Sequence, residues 1–416
     1  MSMVKENARV LSLDQFRGYS VAAMLVINFV GGLTITHQLF KHNNTHFSYA
    51  DSIMPSFMLA CGYSFRLSYL KRIARESLGK VRISFLRRGG LLILISVLFF
   101  GFGVDFQSAD EVTLTSLKEF WCQLWKANLW EVLAIIGAAQ ILVLPFIQLT
   151  SWQRAAVLAG FAILHILLSW SFNYDFVYGN TNWMDHVFGA AGKRCWDGGF
   201  FGTISWAEIV LAGTIVCDAV AGQEPRRAAG KLLLLSLPLM LSGYLMSCLT
   251  TLYDVVPSDS VNSVKEIGVL DQAEIAQSPV LPDFQRAAGR AWWQLLAEPP
   301  FVVPPGSDKR QSNYWMMDKR IVTQSFVVFS TGFAVMLLAC FVVACDAYGY
   351  KSLLFEVLGS NPLVAFLVHH MIEHNIRALV PKDSGLVWVL IWLCISFGLT
   401  YYMVRFLNDR KLILRL

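Results

Sequence analysis

The residues best suited to chemistry cluster at a few points of the chain. Phe40-Lys41-His42-Asn43-Asn44-Thr45-His46 is polar, and Asp51 follows nine residues after His42. An imidazole titrates near neutrality and can act as a general base. The plainer reading makes His42 and His46 loop histidines and Asp51 a helix N-cap, with Pro55 tolerated in the first turn. Upstream, Ser12-Leu13-Asp14-Gln15-Phe16-Arg17-Gly18 places a guanidinium at the start of an apolar run. Ser12 and Gln15 have capping-box spacing, and Arg17 either snorkels to lipid phosphates or faces an anion inside a bundle. Asn28 lies eleven residues on, roughly 16 Å along a helix. Downstream, Asn361-Pro362 precedes His369, His370, Glu373 and His374. Pro362 should kink its helix, and His369 and Glu373, four apart, share a face. His370-Met371-Ile372-Glu373-His374 also fits the inverted metalloprotease pattern, although at the end of an apolar span. Glu131 is a further cavity candidate, as are Asn313, Tyr314, Trp315, Asp318 and Lys319.

These residues need a frame, and composition says which. Of 416 residues, 55% are hydrophobic and 15% charged, against about 25% charged in soluble domains. Apolar runs long enough for a bilayer core of roughly 30 Å recur along the whole chain. The expected fold is all-α, a polytopic membrane bundle forming one domain over 1–416. Ten spans are expected, at about 11–35, 51–71, 84–104, 127–149, 153–172, 202–221, 229–252, 321–346, 351–374 and 384–407. Arg66, Lys71, Arg72, Arg75, Lys80, Arg82, Arg87 and Arg88 crowd the second connection, opposed only by Glu76. The positive-inside rule makes that side cytoplasmic, and with it Lys5, Arg9, Arg17, both termini and the tail through Arg415. The net charge of +5 is therefore topological, and no nucleic-acid partner is expected. No cleavable leader is expected, because the first apolar run is too long.

Three outer segments, about 105–126, 173–201 and 253–320, are long enough to cover an outward site. Leu114 to Trp125 reads as a surface amphipathic helix. The eight cysteines form no zinc pattern. Cys122 and Cys195 fall on the outer side, where a disulfide between them is open.

Five stretches in order resemble the heparan-α-glucosaminide N-acetyltransferase family of transmembrane acyltransferases. They are Ser12 to Gly18, Asn28-Phe29-Val30-Gly31-Gly32, Phe40-Lys41-His42, Ala50-Asp51 with Pro55 and Gly62-Tyr63-Ser64, and Gly202-Thr203-Ile204. Tyr314-Trp315, Asn361, His369 and Glu373 match more weakly. The resemblance implies transfer of an acetyl group from cytoplasmic acetyl-CoA to an amine or hydroxyl of a glycan across the membrane. It implies that Arg17, with Asp14, Asn361 and His369, serves acetyl-CoA, and that a pantetheine arm of roughly 15–20 Å threads the bundle. By the same resemblance His42 is the base or acyl carrier, Asp51 orients it, and Asn28 and Asn361 steady an oxyanion. A homodimer is implied too, and the layout suggests a bacterial inner membrane. The sequence departs from the family after His42, where Asn43-Asn44-Thr45-His46 leaves His46 as a rival base. It departs again at Glu131-Val132, where a glutamine-arginine pair is usual. No metal is expected. Two other readings stay open at this stage: a transporter without chemistry, and a membrane metalloprotease using His370, Glu373 and His374.

Overall fold

The computed structural model describes residues 10–102, 108–255 and 276–412. Lys5, Arg9, Arg415 and part of the expected segment 253–320 lie outside them. The described chain is helical, with a single isolated bridge between Asp254 and Arg310 and no strand.

Twelve helices carry the architecture. They are α1 (Leu11–Val30), α2 (Tyr49–Ile73), α3 (Leu78–Ser96), α4 (Leu114–Gln123), α5 (Val132–Val143) and α6 (Ser151–Leu168). Then come α7 (Gly199–Val220), α8 (Pro225–Ser247), α9 (Gln324–Phe341), α10 (Leu353–Ser360), α11 (Pro362–Arg377) and α12 (Leu386–Asp409). Among the described residues six helical segments are long and apolar enough to cross a membrane, or eight if each of two bent pairs is one span. All ten expected segments are helical, but α1 and α2 do not reach the apolarity of a span. They carry the polar residues Asp14, Gln15, Arg17, Asp51, Ser52 and Ser56, and several of these are buried inside the bundle.

The expected span 127–149 is not continuous. Helical pieces Leu114–Asn128 and Val132–Phe146 meet at 74°, with Glu131 extended between them. The stretch Leu114–Gln123 is helical as the sequence suggested, with Trp121 exposed. The kink expected at Pro362 is a full break: α10 and α11 meet at 93°. Asn361 precedes the proline, where the helical region is sterically disfavoured, and adopts φ −137°. Pro362 then starts α11 at its first position, where its missing N–H costs nothing.

The centre is α2 packed on α7, with α1 and α9 alongside. Hydrocarbon gives helices no hydrophobic reason to associate, so close backbone packing matters more. A Cβ on Gly62 would stand 2.1 Å from the Val210 carbonyl oxygen, and one on Gly213 2.3 Å from that of Leu59. Gly18 meets α10 more closely still, 1.9 Å from the Phe355 oxygen. These crossings hold α2 and α1 at fixed depth.

Replacing Gly62 by alanine should therefore lower the melting temperature in detergent, since overpacking costs about 1–3 kcal/mol. Gly90, with open space around it, should accept alanine without loss. Equal melting temperatures for the two variants would refute this account of the α2–α7 crossing.

Candidate functional site

One large cavity, about 1050 Å³, runs between α1, α2, α3, α5 and α11. Arg17, Ser20, Met24, Ile27 and Asn28 follow one face of α1 down its wall. Arg88 and Leu92 come from α3, and Glu131, Ile136 and Gln140 from the start and body of α5.

Its two ends differ. Arg17 and Arg88 lie within electrostatic reach of each other, and the Cys61 thiol lines the same end. Gly89 faces Gly137 and Ile141, which puts Gln140 near this end. At the far end Arg377 donates to the Asn28 carbonyl oxygen at 2.8 Å and pairs with Glu373 at 3.0 Å. Ser96 donates to the Leu129 carbonyl, bringing the break before α5, and so Glu131, to the end away from Arg88.

His42 enters the far end from the loop between α1 and α2. Its Nδ1–H donates to Asp51 Oδ1 at 2.8 Å. Asp51 is 1% exposed, and its Oδ2 accepts from the Ser48 hydroxyl at 2.7 Å and the Asn43 N–H at 3.2 Å. A buried carboxylate so supplied fixes the ring and leaves Nε2 for the cavity; the His42 side chain is 40% exposed. Asp51 is not the N-cap. Ser48 is, accepting from the Asp51 N–H at 3.2 Å. Beneath the loop Phe47 is wholly buried among Phe301, Phe326, Phe329 and Phe333, and its carbonyl accepts from the Phe301 N–H at 2.9 Å.

His46 stands apart. It is 8% exposed, sits 3.1 Å from Thr45 Oγ1, and faces a separate small crevice. Burial holds its pKa below the ordinary value, against the pull of Asp51.

Other expected site residues are placed differently. Arg17 lines the cavity, with Asp14 3.9 Å behind it and off the wall. Ser12 and Gln15 make no capping box; Val10 is the N-cap. Ser12 donates to Asp346 at 2.5 Å and Gln15 holds Ser352, tying α1 to the connection after α9. Asn361 is wholly buried and donates to the Leu412 carbonyl at 3.0 Å, so it does not reach the cavity. His369 is buried 2.9 Å from Glu373 and is also off the wall. Glu131 and Lys319 do line the cavity, whereas Asn313, Tyr314, Trp315 and Asp318 do not. Tyr314 instead meets His165 at 2.8 Å, and burial lifts the Asp318 carboxyl to about 7.

All eight cysteines are free, and Cys195 donates to the Lys126 carbonyl. Among the described residues no three His, Cys, Asp or Glu side chains group as a metal site. His370 Nδ1–H is committed to the Phe366 carbonyl at 2.9 Å.

The sequence reading missed Arg88 as a site residue, counting it only as one of the inside charges. Its Nε is buried without a hydrogen-bond partner on the cavity wall. An isolated buried guanidinium N–H is costly, so a ligand oxygen fits there.

A model of the heparan-alpha-glucosaminide N-acetyltransferase catalytic domain matches residues 9–244. The chain belongs to this family. The matched region holds Arg17, Asn28, His42, Asp51, Arg88 and Glu131, while Lys319, Glu373 and Arg377 come from the chain beyond it. No curated protein matches the chain.

In this family member Asp51→Asn would keep the side-chain shape but offer His42 Nδ1 an amide. Turnover should fall by about 10²–10⁴ with the fold intact. Unchanged turnover would mean that the pair only packs the loop.

Proposed function

We propose that this protein transfers an acetyl group from acetyl-CoA on the cytoplasmic side to an amine or hydroxyl of a sugar or glycan on the outer side. The observation that carries the reading is that Arg17 and His42 line one continuous cavity. They enter it at opposite ends of α1, about 16 Å apart by helix rise from Arg17 to Asn28. That is the reach of a pantetheine arm, and family membership makes the chemistry acetyl transfer.

The residues fit an anionic donor at the end holding Arg17 and Arg88. Arg88 has an unused buried N–H there, and guanidinium groups suit bidentate phosphate contact. Bound there, acetyl-CoA supplies an activated acyl group as a thioester. Everything else falls to the chain. Aromatic and aliphatic side chains, among them Met24, Ile27, Phe57 and Leu92, line the middle of the cavity and limit water. Limited water protects a thioester from hydrolysis.

At the outer end His42 Nε2 takes the proton of the attacking acceptor atom as that atom bonds the acetyl carbon; the thioester C–S bond breaks, and CoA leaves as the thiol with the proton that His42 returns, while Asp51 holds the ring in the tautomer that leaves Nε2 free. His42 is the base in this reading because His46 faces a different crevice. Asn28 lines the cavity near that end and in this reading donates to the developing oxyanion. Asn361, turned to the Leu412 carbonyl, has no part in it. A cytoplasmic Arg17 is supported by the cationic connection between α2 and α3, by the positive-inside rule.

Two measurements test this together. Acetyl-CoA or CoA should raise the melting temperature of the purified protein, since a ligand stabilises the state that binds it. His42→Ala should keep that shift and lose transfer, whereas Arg17→Ala and Arg88→Ala should each reduce the shift at fixed ligand concentration. No stabilisation by either ligand, or normal turnover in His42→Ala, would end the proposal.

A further inference from the structure

The helices around the cavity form a ring with one gap. Helix α11 packs on α1, α1 on α2, α2 on α5 and α5 on α3. Among the described residues α3 and α11 do not pack on each other. Phe100, in the π-helical turn Val97–Gly101 that ends the third span, reaches across instead. Its ring lies 5.9 Å from that of Phe366 and 5.1 Å from that of His370.

Exposure shows that the gap opens sideways. Ile27, Ala50 and Ile136 line the cavity from α1, α2 and α5 and are buried all the same. Facing the cavity therefore does not by itself expose a side chain. Phe99 and Met371 also line it, from the two edges of the gap, yet are 51% and 59% exposed. Each must face outward from the bundle as well. Leu98, beside Phe99, is exposed and off the cavity wall, so this outward side is apolar surface of a span. The gap is level with the His42 end. Phe99 stands roughly 30 Å by helix rise from Leu78, where its span begins, and that is about the thickness of the hydrocarbon. On the other edge His370 and Met371 lie about two turns before Arg377, which holds the end of α1.

We infer that the acceptor is a lipid-linked glycan, whose hydrocarbon chain lies in the gap between α3 and α11 while its sugar reaches His42. Phe99, Phe100 and Met371 offer that chain an apolar, adaptable lining, so it gives up no favourable surroundings on leaving the lipid. The chain never crosses water, because the gap opens at hydrocarbon depth. Anchoring in the bilayer also concentrates the sugar at the His42 end. A bilayer phospholipid seated in the gap would place its headgroup in the space where the acceptor must react; the acceptor's own chain leaves that space to the sugar. The inference rests on the acetyl-transfer reading and narrows its acceptor to one anchored in the membrane.

The test uses the protein in phospholipid nanodiscs and one sugar in two forms: glucosamine, and glucosamine carrying a dodecyl chain at its anomeric oxygen. Acetyl-CoA consumption by the wild type should show a lower KM for the dodecyl form. Partition into the bilayer contributes to that difference, so the variants decide. Met371→Trp, which narrows the gap, should raise the KM of the dodecyl form about tenfold, on the scale at which a pocket rejects an ill-fitting methylene. It should leave the KM of glucosamine and the CoA-induced melting shift unchanged, the latter also reporting an intact fold. Leu98→Trp, equally exposed but off the cavity, should change neither KM. An unchanged dodecyl KM in Met371→Trp overturns the inference and leaves acetyl transfer standing. Equal effects of Met371→Trp on both acceptors overturn it too, since the gap then holds bilayer lipid or only shapes the cavity. Consumption with neither acceptor, under conditions where CoA still stabilises the protein, overturns acetyl transfer and this inference with it.

Discussion

Hydrocarbon offers no hydrogen bonds, and this fold is organised by that fact. Each polar group inside a span must find a protein partner or an aqueous wall. Helix α6 illustrates the first solution. No other residue of it is buried, yet Arg154 and His165 are wholly so. His165 meets the Tyr314 hydroxyl at 2.8 Å, while Arg154 donates to Asp218 and to the Leu149 carbonyl. Gln324 donates to Glu208 in the same way between α9 and α7. Helices α1 and α2 adopt the second solution. Too polar to qualify as spans by apolarity, they are enclosed by the other helices and turn part of their polar surface to the cavity. The cavity is thus the place where their polarity is tolerated.

Rigidity at the His42 end of the cavity comes from packing that has little to do with polarity. The loop carrying His42 is short of regular structure, so something else must fix it. Phe47 does so by entering a cluster of phenylalanines from α9 and from the segment near Phe301. The segment around Phe301 therefore helps to hold the loop. Close crossings at Gly18 and Gly62 complete the arrangement by fixing the depth of α1 and α2.

Much of this was legible in the sequence, and the reasons are local. Apolar runs of bilayer length revealed where helices form, and His42, Asp51, Arg17 and Asn28 were visible because polar residues beside such runs need a purpose. What escaped depended on contacts distant in sequence. Ser12 and Gln15 have the spacing of a capping box, but Asp346 and Ser352, more than three hundred residues away, take their side chains. Asn361 seemed suited to an oxyanion until the turn at Leu412 claimed its amide. Arg88 was one positive charge among eight in a single cationic run, and only three-dimensional packing separates it from Arg87 beside it. The break before Val132 had no proline to announce it.

The other break had one, and its consequence is larger than a kink. Because Asn361 leaves the helical region ahead of Pro362, α11 starts afresh at 93° to α10. A continuous helix would have carried His370, Glu373 and Arg377 along the line of α10. The turn instead brings them to the wall opposite α2, where Arg377 donates to the last carbonyls of α1, those of Asn28 and Phe29. Those carbonyls have no partner within their own helix. A base at this position satisfies them and favours the negative end of the helix dipole. The same guanidinium is held by Glu373, so its charge is largely spent before any ligand arrives. A proline expected only to kink an apolar span thereby turns Glu373 and Arg377 to the wall of the cavity at its His42 end.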